Sequence, residues 1–183
     1  MRTIGSFGYD DEGVPASREY LVREGILTGF LSSRESAAAI GRESSGAMRA
    51  DGWARSPIVR MTTVSLEPGE AGTLEDLIAD TDEGVYMEVN DSWSIDDKRL
   101  NFQFGCEIGW EIKGGKLGRM LRSPDYTGIT PQFWGGCDAV CSQSEWKVWG
   151  VDNCGKGEPM QVAHVGHGTA PARFRGVRIG VGR

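Results

Sequence analysis

The stretch from Asn101 to Lys113 constrains this chain more than any other. Phe102, Phe104, Cys106, Ile108, Trp110 and Ile112 fall on one side, and Asn101, Gln103, Gly105, Glu107, Gly109, Glu111 and Lys113 on the other. An unbroken period of two suits a β-strand with one buried face, and no helix can use it. The pattern predicts a central antiparallel strand with Phe102, Phe104, Ile108 and Trp110 buried. It also assigns Cys106 to the core rather than to chemistry. Gly114-Gly115 supplies the positive φ of a tight hairpin turn, and residues 116–123 are expected to return antiparallel.

Shorter signals fill in the rest. Around a Glu24-Gly25 turn, residues 18–31 read as a hairpin, with Tyr20 and Val22 alternating against Glu19 and Arg23. Ser33 to Gly41 reads as a short helix with a glycine stop, and residues 42–56 as a long loop. Pro57 opens a β-branched strand through Ser65. Thr73 caps a helix, Leu74 to Ala79, with Asp76 at the capping-box position. Thr130-Pro131 predicts an N-cap and a helix to about Val140, against which Gly135-Gly136 counts. Residues 160–181 read as extended, with Gly176 as a bulge. The sum is an α+β chain, mostly antiparallel β-sheet with about three short helices. No internal repeat or linker interrupts it, so residues 1–183 are expected to form one domain.

Composition narrows the function classes. Glycine supplies 27 of 183 residues, about twice the usual share, which points to many tight turns. A net charge of −6 argues against nucleic-acid binding through phosphate neutralisation. The basic run Arg173, Arg175, Arg178 and Arg183 reads as the solvated face of a final strand. No apolar signal region or membrane-spanning stretch is found, and the four cysteines have irregular spacing. The expectation is a soluble cytoplasmic protein with reduced thiols and no membrane partner.

Candidate chemistry centres on Asp152-Asn153-Cys154-Gly155-Lys156-Gly157, read as a glycine-flanked turn in which Lys156 favours the Cys154 thiolate. A structural zinc site could be written from Cys137, Cys141, Cys154, His164 and His167, although none of their spacings is a recognised zinc pattern. The plainer reading packs Cys137 and Cys141 in a helix and leaves both histidines in a surface loop. Cys154 could act as a nucleophile with His164 or His167 as base and Asp152 as orienting acid. Gly155-Lys156-Gly157 lacks the strand–loop–helix context of a phosphate loop. Asp10-Asp11-Glu12-Gly13 could offer oxygen ligands to a hard cation, or be a solvated turn leading into the hairpin.

Several motifs then fall into one order: Asp10-Asp11-Glu12-Gly13-Val14-Pro15, the Leu21–Leu31 hairpin, Ser36-Ala37-Ala38 and Ser44-Ser45-Gly46-Ala47-Met48-Arg49. Arg60-Met61-Thr62, Pro68-Gly69 and Leu74-Glu75-Asp76-Leu77-Ile78 follow, and near the end stand Asn153-Cys154-Gly155-Lys156-Gly157, Gln161-Val162 and Gly166-His167-Gly168. The ordered set, covering about residues 5–179, resembles the C-terminal part of the TldD/PmbA family of cytoplasmic metallopeptidases. Cys154-Gly155-Lys156 with Arg60-Met61-Thr62 resembles the TldD-type subunit rather than its PmbA-type partner.

The resemblance implies a zinc peptidase acting on unfolded or leader peptides. Cys154 would be the third zinc ligand beside two histidines of a His-Glu-x-x-x-His helix. That motif is absent from this sequence, which has only two histidines, and His164 and His167 match no zinc ligand of the family. In the family the helix lies upstream of the Asp-Asp-Glu-Gly segment, so the resemblance implies that Met1 is an internal start, a truncated gene start or the beginning of a fragment. Zinc would belong only to the complete enzyme, and this chain alone would be inactive. A PmbA-like subunit or a second copy is the expected partner. The alternative within the family is a non-catalytic module for peptide binding and subunit contact.

Overall fold

A computed structural model describes residues 2–181; Met1, Gly182 and Arg183, with the expectation for Arg183, lie outside them. The elements are β1 (Val22–Arg23), β2 (Ile26–Leu27), α1 (Arg34–Ala39), β3 (Met48–Arg49), β4 (Ile58–Val59), α2 (Leu74–Ala79) and β5 (Glu83–Ile95). There follow β6 (Asn101–Lys113), β7 (Lys116–Arg122), β8 (Pro124–Ile129), α3 (Thr130–Gly135), β9 (Cys137–Val140), β10 (Lys147–Lys156), β11 (Gln161–Thr169), β12 (Ala172–Phe174) and β13 (Arg178–Val181). All the strand pairings are antiparallel and the three helices are short, as expected. The chain divides into two compact units: Met1–Glu67 with Lys147–Thr169, and Pro68–Trp146 with Ala170–Arg183.

The second unit grows from β6, whose bounds are those of the alternation. β5 pairs along its whole length, and on the other side β7 and β8 share it end to end. Gly114 and Gly115 turn the β6–β7 hairpin at φ 53 and 73, the left-handed pair that a two-residue turn requires. Cys106 and Ile112 are buried. Phe102, Phe104, Ile108 and Trp110 are half-buried rather than fully covered. The three aromatics among them meet other rings: Phe102 packs edge-on to Phe133 at 5.1 Å, which stacks on Phe174 at 4.0 Å, Phe104 lies 5.7 Å from Tyr126, and Trp110 stacks on Tyr86 at 5.6 Å. A separate cluster buries Leu77, Cys141 and Ala170 against Ala71, Ala139, Val140 and Trp146.

The structure departs from expectation at several points in this unit. Strand β5 carries Asn90, Asp91, Ser92 and Ser94, residue types that suit strands poorly, and the sequence pattern did not reveal it. Its extra residue, Asp91, sits where the register shifts between Asn90 and Ser92. The helix that opens at Thr130 stops at Gly135, and residues 137–140 form β9 instead. Thr130 does not cap it; its hydroxyl donates to the Arg99 carbonyl at 2.7 Å. Gly176, at φ 67, lies between β12 and β13, where the chain passes from a pairing with β9 to one with β8. Arg173 is not solvated: it bonds Asp80 at 3.0 Å and Asp138 at 2.8 Å, and Arg175 also reaches Asp138.

The first unit relies on polar ties. Glu24 and Gly25 make the β1–β2 turn with positive φ, but Val22, Ile26 and Leu27 are exposed. Helix α1 has the reciprocal Ser33–Ser36 capping box. The loop at 42–56 includes β3, and only Ile58–Val59 of the run to Ser65 is strand. The segment beyond it lies along β11, where Gly166 N donates to Thr62 O and Leu66 N to Gly168 O, both at 2.8 Å.

Candidate functional site

Cys154 lies in a strand, not in a turn. Val151 pairs with Val165 and Cys154 with Ala163, so Asp152 and Asn153 together oppose His164 in a bulge. The turn begins at Gly157, φ 91, past the end of β10. Every residue of β10 is exposed except Cys154, which is half-buried. Strand β11 is largely covered. The thiol therefore sits where a solvated strand meets a packed one.

Buried side chains fix this end of the hairpin. Arg60, only 3% exposed, donates Nη2 to the Cys154 carbonyl at 2.5 Å and Nη1 to the Gln161 carbonyl at 3.1 Å. Gln161 is also buried: its Oε1 accepts from Asp51 N at 3.1 Å and its Nε2 donates to Ser56 O at 2.9 Å. The Asp51 carboxylate accepts from Val162 N at 3.2 Å. Arg55 donates to the Met160 carbonyl at 3.0 Å. Lys156, expected as a cation for the thiolate, gives its amine to the Val59 carbonyl. At Gly155 a Cβ would stand 2.8 Å from Met160 Sδ, so the missing side chain makes room for Met160.

The other sequence candidates do not gather at Cys154. His167 shares its face, but lies four residues along β11 from Ala163, about 13 Å. Two ligands of one zinc bind at about 2.0–2.3 Å each, so that separation rules out a common ion. Val64 O can only accept, so the proton between it and His167, 2.7 Å apart, sits on Nδ1. His164 is exposed on the opposite face, away from a Cys154–His–Asp152 arrangement. Cys137 and Cys141 belong to the second unit, where burial pushes both thiols up, away from the thiolate that ligation needs. Cys141 is fully buried. Cys106 is buried as expected, and its thiol is pushed up first by burial and then by Asp91. Gly155-Lys156-Gly157 opens no helix.

The acidic run is the expected turn, closed by Gly13 N donating to Asp10 O at 3.0 Å, with Asp11 and Gly13 exposed but Asp10 buried at its start. Asp10 is 4% exposed; its carboxylate accepts from Glu12 N and Val14 N at 2.9 Å and from Met48 N at 3.1 Å. Asp11 accepts from Ala50 N at 2.7 Å, and Glu12 from Arg34 N, in the first turn of α1, at 2.8 Å. These oxygens serve the chain's own amides. Among the described residues no group of three His, Cys, Asp or Glu could hold a metal ion.

The sequence signal for Arg60 was its place after Ile58-Val59, a charged residue continuing a β-branched run, which is informative when it turns out to be buried. Nothing marked Gln161 or Asp10 as buried.

The fold is a sheet-rich α+β one with Cys154 half-buried on an exposed strand, and comparison with known proteins places it. The family described as the PmbA/TldA metallopeptidase C-terminal domain matches residues 1–181, and this chain belongs to that family. It is 33% identical to a protein named metalloprotease from Methanothermobacter thermautotrophicus over 97% of this chain and 37% of that protein. It is 29% identical to a protein named zinc metalloprotease TldD homolog from Saccharolobus solfataricus, over 67% of this chain and 27% of that protein. The structure of TldE from Thermococcus kodakarensis shares the fold, with a TM-score of 0.71 and 21% identity over 96% of this chain and 36% of that one. The matches thus span only 27–37% of these relatives' lengths. Tested against zinc, Cys154 fits as one half-buried soft donor, and among the described residues no group of three His, Cys, Asp or Glu forms a complete site with it. No helix among the described residues is long and apolar enough to cross a membrane.

Proposed function

We propose that residues 1–183 act as the C-terminal domain of a TldD-like zinc peptidase, with Cys154 as one zinc ligand and β10 as part of the substrate cleft. The observation that carries this reading is the placement of Cys154, the one half-buried residue of an otherwise exposed strand, braced from behind by Arg60. When bound in the complete enzyme, zinc polarises a peptide carbonyl and activates water. This chain's part is to hold the thiolate and to align substrate. β10 pairs only with β11 among the described strands, and an extended peptide can add along the other side through main-chain hydrogen bonds. Such binding suits unfolded or leader peptides, which offer free backbone. The remaining ligands and the general base come from outside this chain, and a PmbA-like subunit or a second copy completes the assembly.

The chain alone is then expected to turn over no unstructured peptide at any zinc concentration. Chelator-sensitive cleavage by the purified chain, lost in Cys154→Ala, overturns this assignment. A second reading, a non-catalytic module for peptide binding and subunit contact, draws on the exposed Val22, Ile26, Leu27 and Trp149. It predicts that Cys154→Ser leaves zinc retention by the complete protein unchanged, whereas the first predicts its loss.

A further inference from the structure

The Arg60 guanidinium donates only to main-chain carbonyls, those of Cys154 and Gln161, and its Nε is buried without a partner among the described residues. Burying a cation is costly unless it is paired or well hydrogen-bonded. A neutral amide could tie two carbonyls together without that cost, so stability alone does not account for an arginine here. Its planar fork donates from two separate nitrogens, Nη1 and Nη2, and so holds the two acceptors at a wider fixed spacing than the single nitrogen of an amide or ammonium offers. The two acceptors lie on either side of the hairpin tip, one in β10 and one in β11. The first belongs to Cys154 itself, next to the bulge where the register is otherwise loosest.

We infer that Arg60 is a positioning residue for Cys154, holding the main chain at the bulge so that the thiolate meets a soft divalent cation in one orientation. The inference rests on the reading of Cys154 as a metal ligand. Arg60 itself has no lone pair to give a metal; it acts by ordering the donor beforehand, as residues behind metal ligands do. The same bracing extends outward, because Gln161, whose carbonyl takes the other arm of the fork, is pinned to Asp51 and Ser56.

The test is a cadmium titration of the chain in a Cys137→Ser background, read by the cadmium–thiolate charge-transfer absorption. Cys106 and Cys141 are buried, so Cys154 is then the accessible thiol among the described residues. Each variant's melting temperature is measured in parallel, and titrations are run well below it. Arg60→Met is expected to weaken cadmium binding about tenfold, with Arg60→Lys between it and the parent. A tie that served only the fold would lower the melting temperature and leave the affinity of the folded chain unchanged; that result overturns the inference. If Arg60→Met does not fold, the folded Arg60→Lys must still bind more weakly than the parent, and equal affinity counts against the proposal. Cys154→Ser separates the two claims. If it abolishes the absorption while the Arg60 variants leave affinity intact, only the role of Arg60 fails. If the absorption survives Cys154→Ser, the ligand assignment fails and takes this inference with it.

Discussion

The two units are held together by different means. In the second, an alternating strand gathers half-buried aromatics, and a small cluster around Leu77 and Cys141 completes the packing. In the first, β1 and β2 expose their apolar side chains, while buried polar groups bind the backbone: Asp10, Ser32, Ser33, Arg60 and Gln161 all belong to it, against Thr81 in the other. Apolar packing tolerates some sliding, whereas a hydrogen bond fixes distance and angle. The unit that bears the proposed metal ligand is the one built from directional contacts.

That contrast can be broken. The largest effect is expected at Asp10, where alanine strands three main-chain donors; Asp10→Ala should cost about 4 kcal/mol by chemical denaturation. Asp10→Asn, which keeps one acceptor oxygen, should recover part of it. A loss near zero would mean that the polar ties are incidental. Next comes Leu77→Ala in the second unit, expected to cost about 3 kcal/mol as a large-to-small change at a buried site. If Leu77→Ala proves much the milder of the two, the second unit depends less on apolar packing than its cluster suggests.

A smaller effect is expected at Asp138, whose carboxyl is held down at about 2 by hydrogen bonds from Arg173 and then Arg175. A depressed carboxyl stabilises the folded state above its ordinary value of 3.8 and loses that contribution as pH falls toward 2. Asp138→Asn should therefore be less stable than the parent at pH 6, by no more than about 1 kcal/mol because water screens an exposed pair. The two proteins should converge by pH 2, and a difference that persists there points to packing rather than charge. The smallest effect belongs to His164, exposed opposite the bulge. His164→Ala should change stability by less than about 0.5 kcal/mol and leave cadmium binding untouched.

The same contrast explains what could be read in advance. β6, its glycine turn, β7 and the Thr73–Asp76 capping box are local patterns, visible because period and turn chemistry are written in neighbouring residues. β5 escaped because its polar residues are tolerated by long pairing with β6 rather than by propensity. The helix at Thr130 ran too long on paper because Pro131 marks a start more clearly than Gly135-Gly136 marks a stop. At the candidate site, Cys154 was legible through an ordered set of motifs, but its strand setting was not. Nothing near Cys154 in sequence announces Arg60, 94 positions away, or the tie from Gln161 to Asp51 across 110. Charge in the sequence says nothing of burial. Asp10 and Arg173 both read as solvated, yet one is buried among amides and the other is held by Asp80 and Asp138.

The central claim is that this chain supplies a single zinc ligand and no complete centre. Its most direct test is the zinc content of the purified chain after equilibration with excess zinc and desalting. The account predicts far less than one ion per chain, since one thiolate cannot retain zinc without the further ligands of a closed or catalytic site. One tightly held ion per chain, surviving desalting and lost in His164→Ala or His167→Ala, would contradict it.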